Sequence, residues 1–331
     1  MSSHPDIQTL APDVESLRNR INTVRRTLAG YFVGKQDVID LMCVAMLAQE
    51  PLLIVGQPGT AKSDLVVKFC QAIGLGGEDY FEYMLTKFTE PGEIIGPVDI
   101  NQLKEGRYMR KTGGKLPECR IAFLDEIFKS NSAILNTLLT IINERKFYQD
   151  GQPVPVRMVM LFAATNEIPD FEDLSALRDR FALKIESRSV SDTHFSELIG
   201  KGIENEARRV FGQKPWANLA TLDDFLRLKS WFDHTLLTGV GHRQDGLHDP
   251  AFPSEIFALF KRILRTLVRE NKLMISDRKT VKLYKLVRAQ ALLLHGGVVT
   301  REDLRLLRYI PDQLKDFEPV ASKVDSLLAL G

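Results

Sequence analysis

A short apolar run that leads into a glycine-containing loop constrains the fold of this chain more than any other stretch. The run, 52–55, is uncharged and rich in branched side chains, as in a buried parallel strand, and a helix-like segment, 64–72, follows the loop. The loop contains two glycines and ends in Lys62 and Ser63. At such a helix N-terminus backbone N–H groups face an anion, the lysine adds positive charge and the serine can hold Mg²⁺. The stretch therefore predicts a phosphate-binding loop.

One position departs from the strict pattern of such loops. The pattern G-x-x-x-x-G-K-[ST] has glycine immediately before the lysine, whereas this chain has Ala61. Taken alone, the stretch is also consistent with a Gly/Pro turn that carries an incidental lysine. The choice depends on whether the rest of the chain supplies a magnesium ligand, a group that activates water, and arginines that stabilise charge.

Composition sets the outer limits. With 331 residues, 44% hydrophobic and 26% charged, the chain can bury a sizeable core and is predicted to form two domains. A formal net charge of +1 favours neither nucleic acid nor a membrane surface as a general partner. Three scattered cysteines in apolar surroundings predict reduced core residues in a cytoplasmic protein. Residues 1–12 lack the apolar centre of a signal peptide, and no apolar run approaches the ~18 residues of a membrane span.

Apolar segments of strand and helix type alternate along the first part of the chain. Further strands are predicted at 80–85, 121–124 and 158–163, helices at 14–28, 36–48 and 132–143, and a hairpin at 146–157. Such alternation favours a parallel α/β sheet flanked by helices. From about residue 191 the chain is predicted to be helical, with helices at 222–232 and 255–268 and a loop at 238–250 between them.

Polar residues stand at the ends of two predicted strands, where an α/β sheet binds ligands. Asp125 and Glu126 directly follow the strand 121–124. The aspartate is suited to hold Mg²⁺ and the glutamate to polarise an attacking water, although an acidic helix N-cap pair would have the same pattern. Asn166 follows the next strand and could orient that water, or it could form an ordinary Asx turn.

Arginines and a basic stretch follow. Arg178 and Arg180 are either surface residues of a helix end or the arginines that meet charge on a transferred phosphoryl group. Arg278 opens a helix that Ser276 would cap, and by itself it indicates little. Residues 261–288 contain ten Lys or Arg against two acids. The favoured interpretation is that these basic residues lie on the solvated faces of two helices, with Arg278 at a nucleotide. The alternative is that they form a basic groove for nucleic acid or an acidic partner.

The loop, the Asp-Glu pair, the asparagine and the arginines occur in the order found in AAA+ ATPases, and the resemblance extends further. From about residue 14 to residue 310 the chain resembles the MoxR family, specifically its regulatory ATPase variant A (RavA) branch. The segments that carry this resemblance are FTEPGEIIGP (88–97), GRY (106–108), LP (116–117), FLDEI (123–127), AILNTLL (133–139), INER (142–145), SDRK (276–279) and EDL (302–304). Loops of this family also have alanine before the lysine, so Ala61 agrees with it.

The resemblance implies a role for each position. The loop from Gly56 to Ser63 would be Walker A, Asp125 and Glu126 would form Walker B, Asn166 would be sensor 1 and Arg278 sensor 2. Arg180 would be the arginine finger that acts on the neighbouring subunit's nucleotide, with Arg178 the second candidate. Contacts with ATP or ADP would come from Val33, Gly34, Gly56, Pro58, Gly59, Thr60, Ala61, Lys62, Ser63 and Asp64, and contacts with Mg²⁺ from Ser63 and Asp125.

The resemblance also implies an architecture. An AAA+ α/β nucleotide-binding domain would occupy 1–190, with a helix-2 insert at about 90–115 and a pre-sensor-1 hairpin at about 146–157. An all-α lid domain with sensor 2 would occupy 191–331. Subunits would form a homo-oligomeric ring, expected to be a hexamer, since the finger arginine must come from a neighbour. RavA relatives continue into a further module, which is expected to be absent because this chain ends at Gly331.

The implied function is ATP hydrolysis that drives remodelling, or insertion of a metal cofactor, on a client protein. A protein with a von Willebrand factor A (vWA) domain is the expected partner. Two alternatives remain open at this point: a nucleotide-gated assembly scaffold that hydrolyses little ATP, and a ring NTPase linked to nucleic acid.

Overall fold

The computed structural model describes residues 13–170, 174–191, 193–243 and 246–329. The polar segment 1–12 and positions 244 and 245 of the predicted loop lie outside them. The chain divides into two compact units. The sheet unit consists of Gln49–Gln71 and Leu75–Ser189; the helical unit consists of the residues up to Ala48, Ala72–Gly74 and those from Val190 onward. Within the described ranges, no helix is both long enough and apolar enough to cross a membrane.

The strands and helices of the described residues are as follows. The strands are β1 (Leu52–Val55), β2 (Tyr80–Met84), β3 (Ile121–Asp125), β4 (Lys146–Gln149), β5 (Gln152–Pro155), β6 (Met160–Thr165), β7 (Leu183–Glu186), β8 (Gly241–Arg243) and β9 (Gly246–His248). The helices are α1 (Val14–Tyr31), α2 (Gln36–Ala48), α3 (Lys62–Ala72), α4 (Pro91–Ile95), α5 (Ile100–Lys104), α6 (Ser132–Glu144), α7 (Ser175–Arg180), α8 (Phe195–Val210), α9 (Leu222–Gly239), α10 (Ser254–Arg269), α11 (Asp277–Leu294) and α12 (Phe317–Ala329).

A five-stranded parallel sheet in the order β2-β3-β6-β1-β7 forms the centre of the sheet unit. All four residues of β1 are fully buried because the strand pairs with β6 on one side and β7 on the other, which explains its uninterrupted apolar sequence. Val55 pairs with both Thr165 and Glu186, and Leu124 pairs with Ala163. The residues that follow β1, β3 and β6 therefore meet at one edge of the sheet.

The predicted insert and hairpin lie in the sheet unit and are tied to each other. The insert contains the short helices α4 and α5, and β4 pairs with β5 as a separate antiparallel hairpin that turns at Asp150-Gly151. The backbone N–H of Tyr108 donates to the Asp150 carboxylate at 3.0 Å, and the Asp150 N–H donates to the Tyr108 carbonyl at 2.9 Å. These reciprocal bonds hold the segment of the insert around Tyr108 against the hairpin tip.

The helical unit joins the two N-terminal helices to those of the C-terminal part. Arg20 of α1 forms an ion pair with the largely buried Asp224 of α9 at 2.7 Å. Ser276 caps α11 by accepting from the Lys279 N–H at 3.1 Å, and the buried Lys279 ammonium donates to the Ile310 carbonyl at 3.0 Å. Long-range bonds of this kind hold the helices in one compact body.

The predicted fold class, a parallel sheet flanked by helices and followed by a helical region, is confirmed. Some element bounds are wrong. The strand predicted at 158–163 is β6, which begins at Met160, the first residue to pair with β3, and ends at Thr165. The helix predicted at 222–232 continues to Gly239, and the predicted loop at 238–250 contains the antiparallel pair β8 and β9. The domain limits 1–190 and 191–331 stay a prediction.

Candidate functional site

The loop between β1 and α3 leaves the carboxyl edge of the sheet. Its first residue, Gly56, donates its N–H to the carbonyl of Thr165 at 3.0 Å. A Cβ on Gly56 would lie 2.5 Å from the carbonyl oxygen of Ser187, a backbone atom that cannot easily move aside. The Ser187 hydroxyl donates to the Thr60 carbonyl at 2.8 Å, which fixes this close approach. Glycine at position 56 is therefore required by packing.

Two residues with side chains adopt left-handed backbone conformations at this edge. They are Ala61, with φ 65°, and Glu126, with φ 52°. This conformation costs an L-residue about 1–2 kcal/mol. Position 61 is where the strict loop pattern has glycine, so the structure supplies the physical reason for that preference. Strain of this kind persists where surrounding structure imposes it, and such places cluster at functional sites.

Lys62 is buried and its ammonium group lies within the loop. Nζ donates to the carbonyl of Gly56 at 2.5 Å, to the carbonyl of Gln57 at 3.2 Å and to Oδ1 of Asn166 at 3.0 Å. Burial lowers the pKa of Lys62, and the negative charges of Asp125 and Glu126 oppose that shift. These three oxygens hold the Lys62 ammonium within the loop.

Asn166 links this lysine to Glu126. Its Oδ1 accepts from Lys62, and its Nδ2 donates to Oε1 of Glu126. The same Glu126 oxygen forms an ion pair with Lys129 at 3.1 Å. The Glu126 N–H donates to the Asp125 carboxylate at 2.8 Å. Four of the predicted residues, separated by up to 104 positions, therefore form one hydrogen-bonded chain.

The remaining loop positions include exposed residues and candidate ligands of Mg²⁺. Gln57, Pro58 and Gly59 are exposed, and Gly59 has φ 83° with no atom within 4 Å of a Cβ built there. Ser63 lies in the first turn of α3, where backbone N–H groups have no partner within the helix. Asp64 forms an ion pair with Lys68 one turn further on. A hydroxyl at 63 and a half-buried carboxylate at 125 are the hard oxygen ligands that Mg²⁺ prefers.

The two candidate finger arginines lie on α7 and differ in their contacts. Arg178 donates Nη1 to the carbonyl of Pro169 and lies 3.5 Å from the carboxylate of Asp170. Arg180, the last residue of α7, has its Nη1 3.6 Å from the carboxylate of its neighbour Asp179. Neither of these two contacts involves the loop between β1 and α3.

Three further predicted residues belong to the helical unit. Val33 and Gly34 lie between α1 and α2; Val33 is nearly buried, and a Cβ on Gly34 would lie 2.6 Å from Cγ1 of Val190. Gly34 also has φ 64°, so both space and backbone favour glycine there. Arg278 is exposed in the first turn of α11.

Comparison with known proteins agrees with this arrangement. A family profile described as the MoxR domain in the MoxR-vWA-beta-propeller ternary systems matches residues 19–237. The chain belongs to the MoxR family of AAA+ ATPases. A profile of an AAA lid domain matches residues 255–317.

Relatives extend the match. An uncharacterised protein of Methanocaldococcus jannaschii is 33% identical over 292 residues, which is 88% of this chain and 70% of that protein. The chaperone MoxR1 of Mycobacterium tuberculosis is 27% identical over 194 residues, 57% of this chain and 49% of that protein. The crystal structure of a proposed ATPase from Cytophaga hutchinsonii has a TM-score of 0.70 at 16% identity, covers 97% of both chains, and shows the same fold.

One residue of this MoxR site is absent from the sequence predictions. Lys129 lies in the one-turn helix Ile127–Lys129 that follows Glu126, and its ammonium contacts the Glu126 carboxylate. A lysine three residues after an acid is an ordinary helix-surface pattern. Here Glu126, in a left-handed conformation, directly precedes the one-turn helix. Its carboxylate therefore contacts both Lys129 and Asn166.

Proposed function

We propose that this MoxR protein hydrolyses ATP to ADP and phosphate as a homo-oligomeric, hexameric ring in the cytoplasm and uses the energy to remodel a client protein. The observation that carries the proposal is the chain of hydrogen bonds from Lys62 through Asn166 to Glu126, at the edge where β1, β3 and β6 end. A buried cation, an amide and a carboxylate in that order match what phosphoryl transfer from ATP to water needs.

The loop residues would hold the phosphates. Backbone N–H groups at the start of α3 and the Lys62 ammonium would face the phosphate oxygens. Ser63 and Asp125 would hold Mg²⁺, which neutralises phosphate charge when bound. Val33 and Gly34 would contact the adenine, and Arg278 would act as sensor 2.

Hydrolysis requires the resting contacts to change. Lys62 has to leave Asn166 and the loop carbonyls to reach the phosphates, which frees the asparagine to orient a water. Glu126 would then accept a proton from that water as it attacks the γ-phosphorus. In this scheme Asn166 couples nucleotide binding to the general base, because one side chain contacts both.

Arg180 is the proposed finger. Arg178 is held by the carbonyl of Pro169 and by Asp170 within its own subunit, which supports a role in fixing the loop after β6. Arg180 is the last residue of its helix, at the position where the resemblance to the MoxR family places the finger. We assign the contact with the neighbouring subunit's nucleotide to Arg180.

Partner and client are proposed from the family. The matching profile is that of MoxR domains in systems that also contain vWA and β-propeller components, which supports a vWA-domain partner. A relative named as a chaperone supports remodelling of a protein client. Membership of the RavA branch, and metal-cofactor insertion as the outcome, remain hypotheses.

Phosphate release tests the enzymatic part of the proposal. The purified chain should release phosphate from ATP with a turnover of about 1–10 per second, and excess EDTA should abolish turnover until Mg²⁺ is restored. If the chain binds ATP but phosphate release does not exceed that measured without enzyme, the assembly scaffold would be the better description of its function. Turnover that rises only when DNA is added would favour the nucleic-acid-linked NTPase.

Lys129→Met should raise basal ATP turnover by about two- to fivefold, because the ion pair between the exposed Lys129 ammonium and the buried Glu126 carboxylate, worth up to ~1 kcal/mol, no longer holds Glu126 in its resting contact. The rise should be in kcat, with KM for ATP unchanged, as measured by steady-state phosphate release. Lys111→Met, which removes an exposed lysine 4.0 Å from Asp99 on the insert, is the matched control and should have no effect. An unchanged or lower kcat for Lys129→Met would mean that Lys129 does not restrain Glu126.

A further inference from the structure

The basic stretch 261–288 is not used by the proposed ATPase site, apart from Arg278. In the helical unit part of this stretch borders a concave groove of about 790 Å³ formed by the C-terminal end of α9, by α10 and by α11. Apolar side chains form its floor and walls: Leu236, Val240, Phe257, Phe260, Leu264, Val268, Ile275 and Val281. We call this surface the lid groove.

The apolar surface of the lid groove reaches solvent. Val281 is 69% exposed and Val268 43% exposed. An open, concave apolar surface of this kind marks a binding site more often than it marks ordinary protein surface. Its shape fits the apolar face of a helix, with large side chains three and four residues apart.

The border of the groove carries charge of one sign. Lys261, Arg265 and Arg269 follow each other at intervals of four along α10, and all three are exposed. Among the described residues that line the groove there is no Asp or Glu. Like charges four residues apart on a helix repel each other, so these three side chains lower the stability of α10 when nothing is bound in the groove. An acidic occupant would remove that repulsion.

We propose that the lid groove binds an acidic amphipathic helix of a partner protein. Its apolar face would fill the groove, and flanking carboxylates would meet Lys261, Arg265 and Arg269. Concavity and apolar lining argue against nucleic acid, whose phosphates would find no cation on the apolar floor of the groove. They also argue against a membrane surface, which is met by projecting apolar side chains rather than by a groove.

Fluorescence anisotropy with the full chain tests the proposal. The probe is a labelled peptide of about 16 residues, with leucines at helical spacing on one face and glutamates beside them; a second peptide has lysine in place of each glutamate. The acidic peptide should bind, and the basic one should bind at least about tenfold more weakly. Arg265→Glu combined with Arg269→Glu should weaken the acidic peptide about tenfold or more, and Val281→Asp should do the same.

Arg262→Glu is the matched control. Arg262 is exposed on α10 but does not line the groove, so this variant should bind the acidic peptide like the wild type. All variants should retain basal ATP turnover, which separates this proposal from the ATPase assignment. Equal binding of both peptides, or full binding by the groove variants, would overturn it. If the acidic peptide does not bind, two further results would also overturn the proposal. One is that the chain sediments with phosphatidylserine vesicles, and the other is that the chain self-associates through a contact that Val281→Asp abolishes.

Discussion

Glu126→Gln should leave ATP binding intact while ATP turnover falls by about 10²–10⁴-fold, the usual contribution of a general base. Glutamine keeps the size of the side chain and can still accept from Asn166, so the loop and the sheet edge should keep their geometry. It cannot take a proton from water. Steady-state phosphate release measures the loss, and titration with a fluorescent ATP analogue measures binding.

The control for this prediction is Glu144→Gln. Glu144 ends α6 in the same unit and forms an ion pair with Lys146 at 2.7 Å, away from the network around Glu126. Its amide variant should hydrolyse ATP at the wild-type rate. Turnover within a factor of about three of wild type in Glu126→Gln would remove this residue from the role of general base. Loss of ATP binding in the same variant would mean instead that Glu126 holds the site together.

The sheet edge was predictable because its signals are local. An uninterrupted apolar run is typical of a strand with neighbours on both sides, and β1 has β6 and β7. Polar residues directly after a strand must lie at the carboxyl edge of a parallel sheet, which places Glu126 and Asn166 near the loop. Order along the chain was therefore enough to predict that Lys62, Glu126 and Asn166 lie at one edge of the sheet.

The features that the sequence did not predict depend on the geometry between segments that are distant along the chain. Secondary-structure propensity does not predict that Glu126 has a left-handed backbone conformation. Nor does it predict that Lys62 donates its hydrogen bonds to the loop carbonyls and Asn166. The extra length of α9 and the pairing of β8 with β9 lie in a Gly- and His-containing stretch whose composition predicts a loop. The basic residues of 261–288 were visible as charge, but only the fold places four of them, Lys261, Arg265, Arg269 and Lys285, beside an apolar groove.

Ala61 shows how a local rule and a fold interact. The loop requires a left-handed residue before the lysine, and alanine accepts that conformation at a cost that glycine would not have. Alanine in turn has fewer conformations in the unfolded chain, which offsets part of the cost. The departure from the strict pattern is thus tolerable physically and does not argue against phosphate binding.

Replacing Arg180 and Arg178 one at a time tests which of them is the arginine finger, because we expect one variant to lose turnover and the other to lose stability. Arg180→Ala should reduce ATP turnover by about 10³–10⁵-fold, because a finger arginine stabilises the charge that develops on the transferred phosphoryl group. ATP binding should be little changed, since the finger acts in the transition state. Arg178→Ala should instead lower the midpoint temperature of unfolding, because it removes the bonds to Pro169 and Asp170.

Mixing subunits shows whether Arg180 acts across an interface. Lys62→Ala subunits cannot hold the phosphates but keep their finger; Arg180→Ala subunits lack the finger but keep the loop. In a ring assembled from equal amounts of both, about one interface in four joins an intact loop to an intact finger, so turnover should recover to about a quarter of the wild-type value. Mixing Lys62→Ala with Glu126→Gln is the control, and it should give no recovery, because the loop and the general base lie in the same subunit and no interface then has both. Recovery in neither mixture, with both mutant chains shown to enter common rings, would place Arg180 in its own subunit's site.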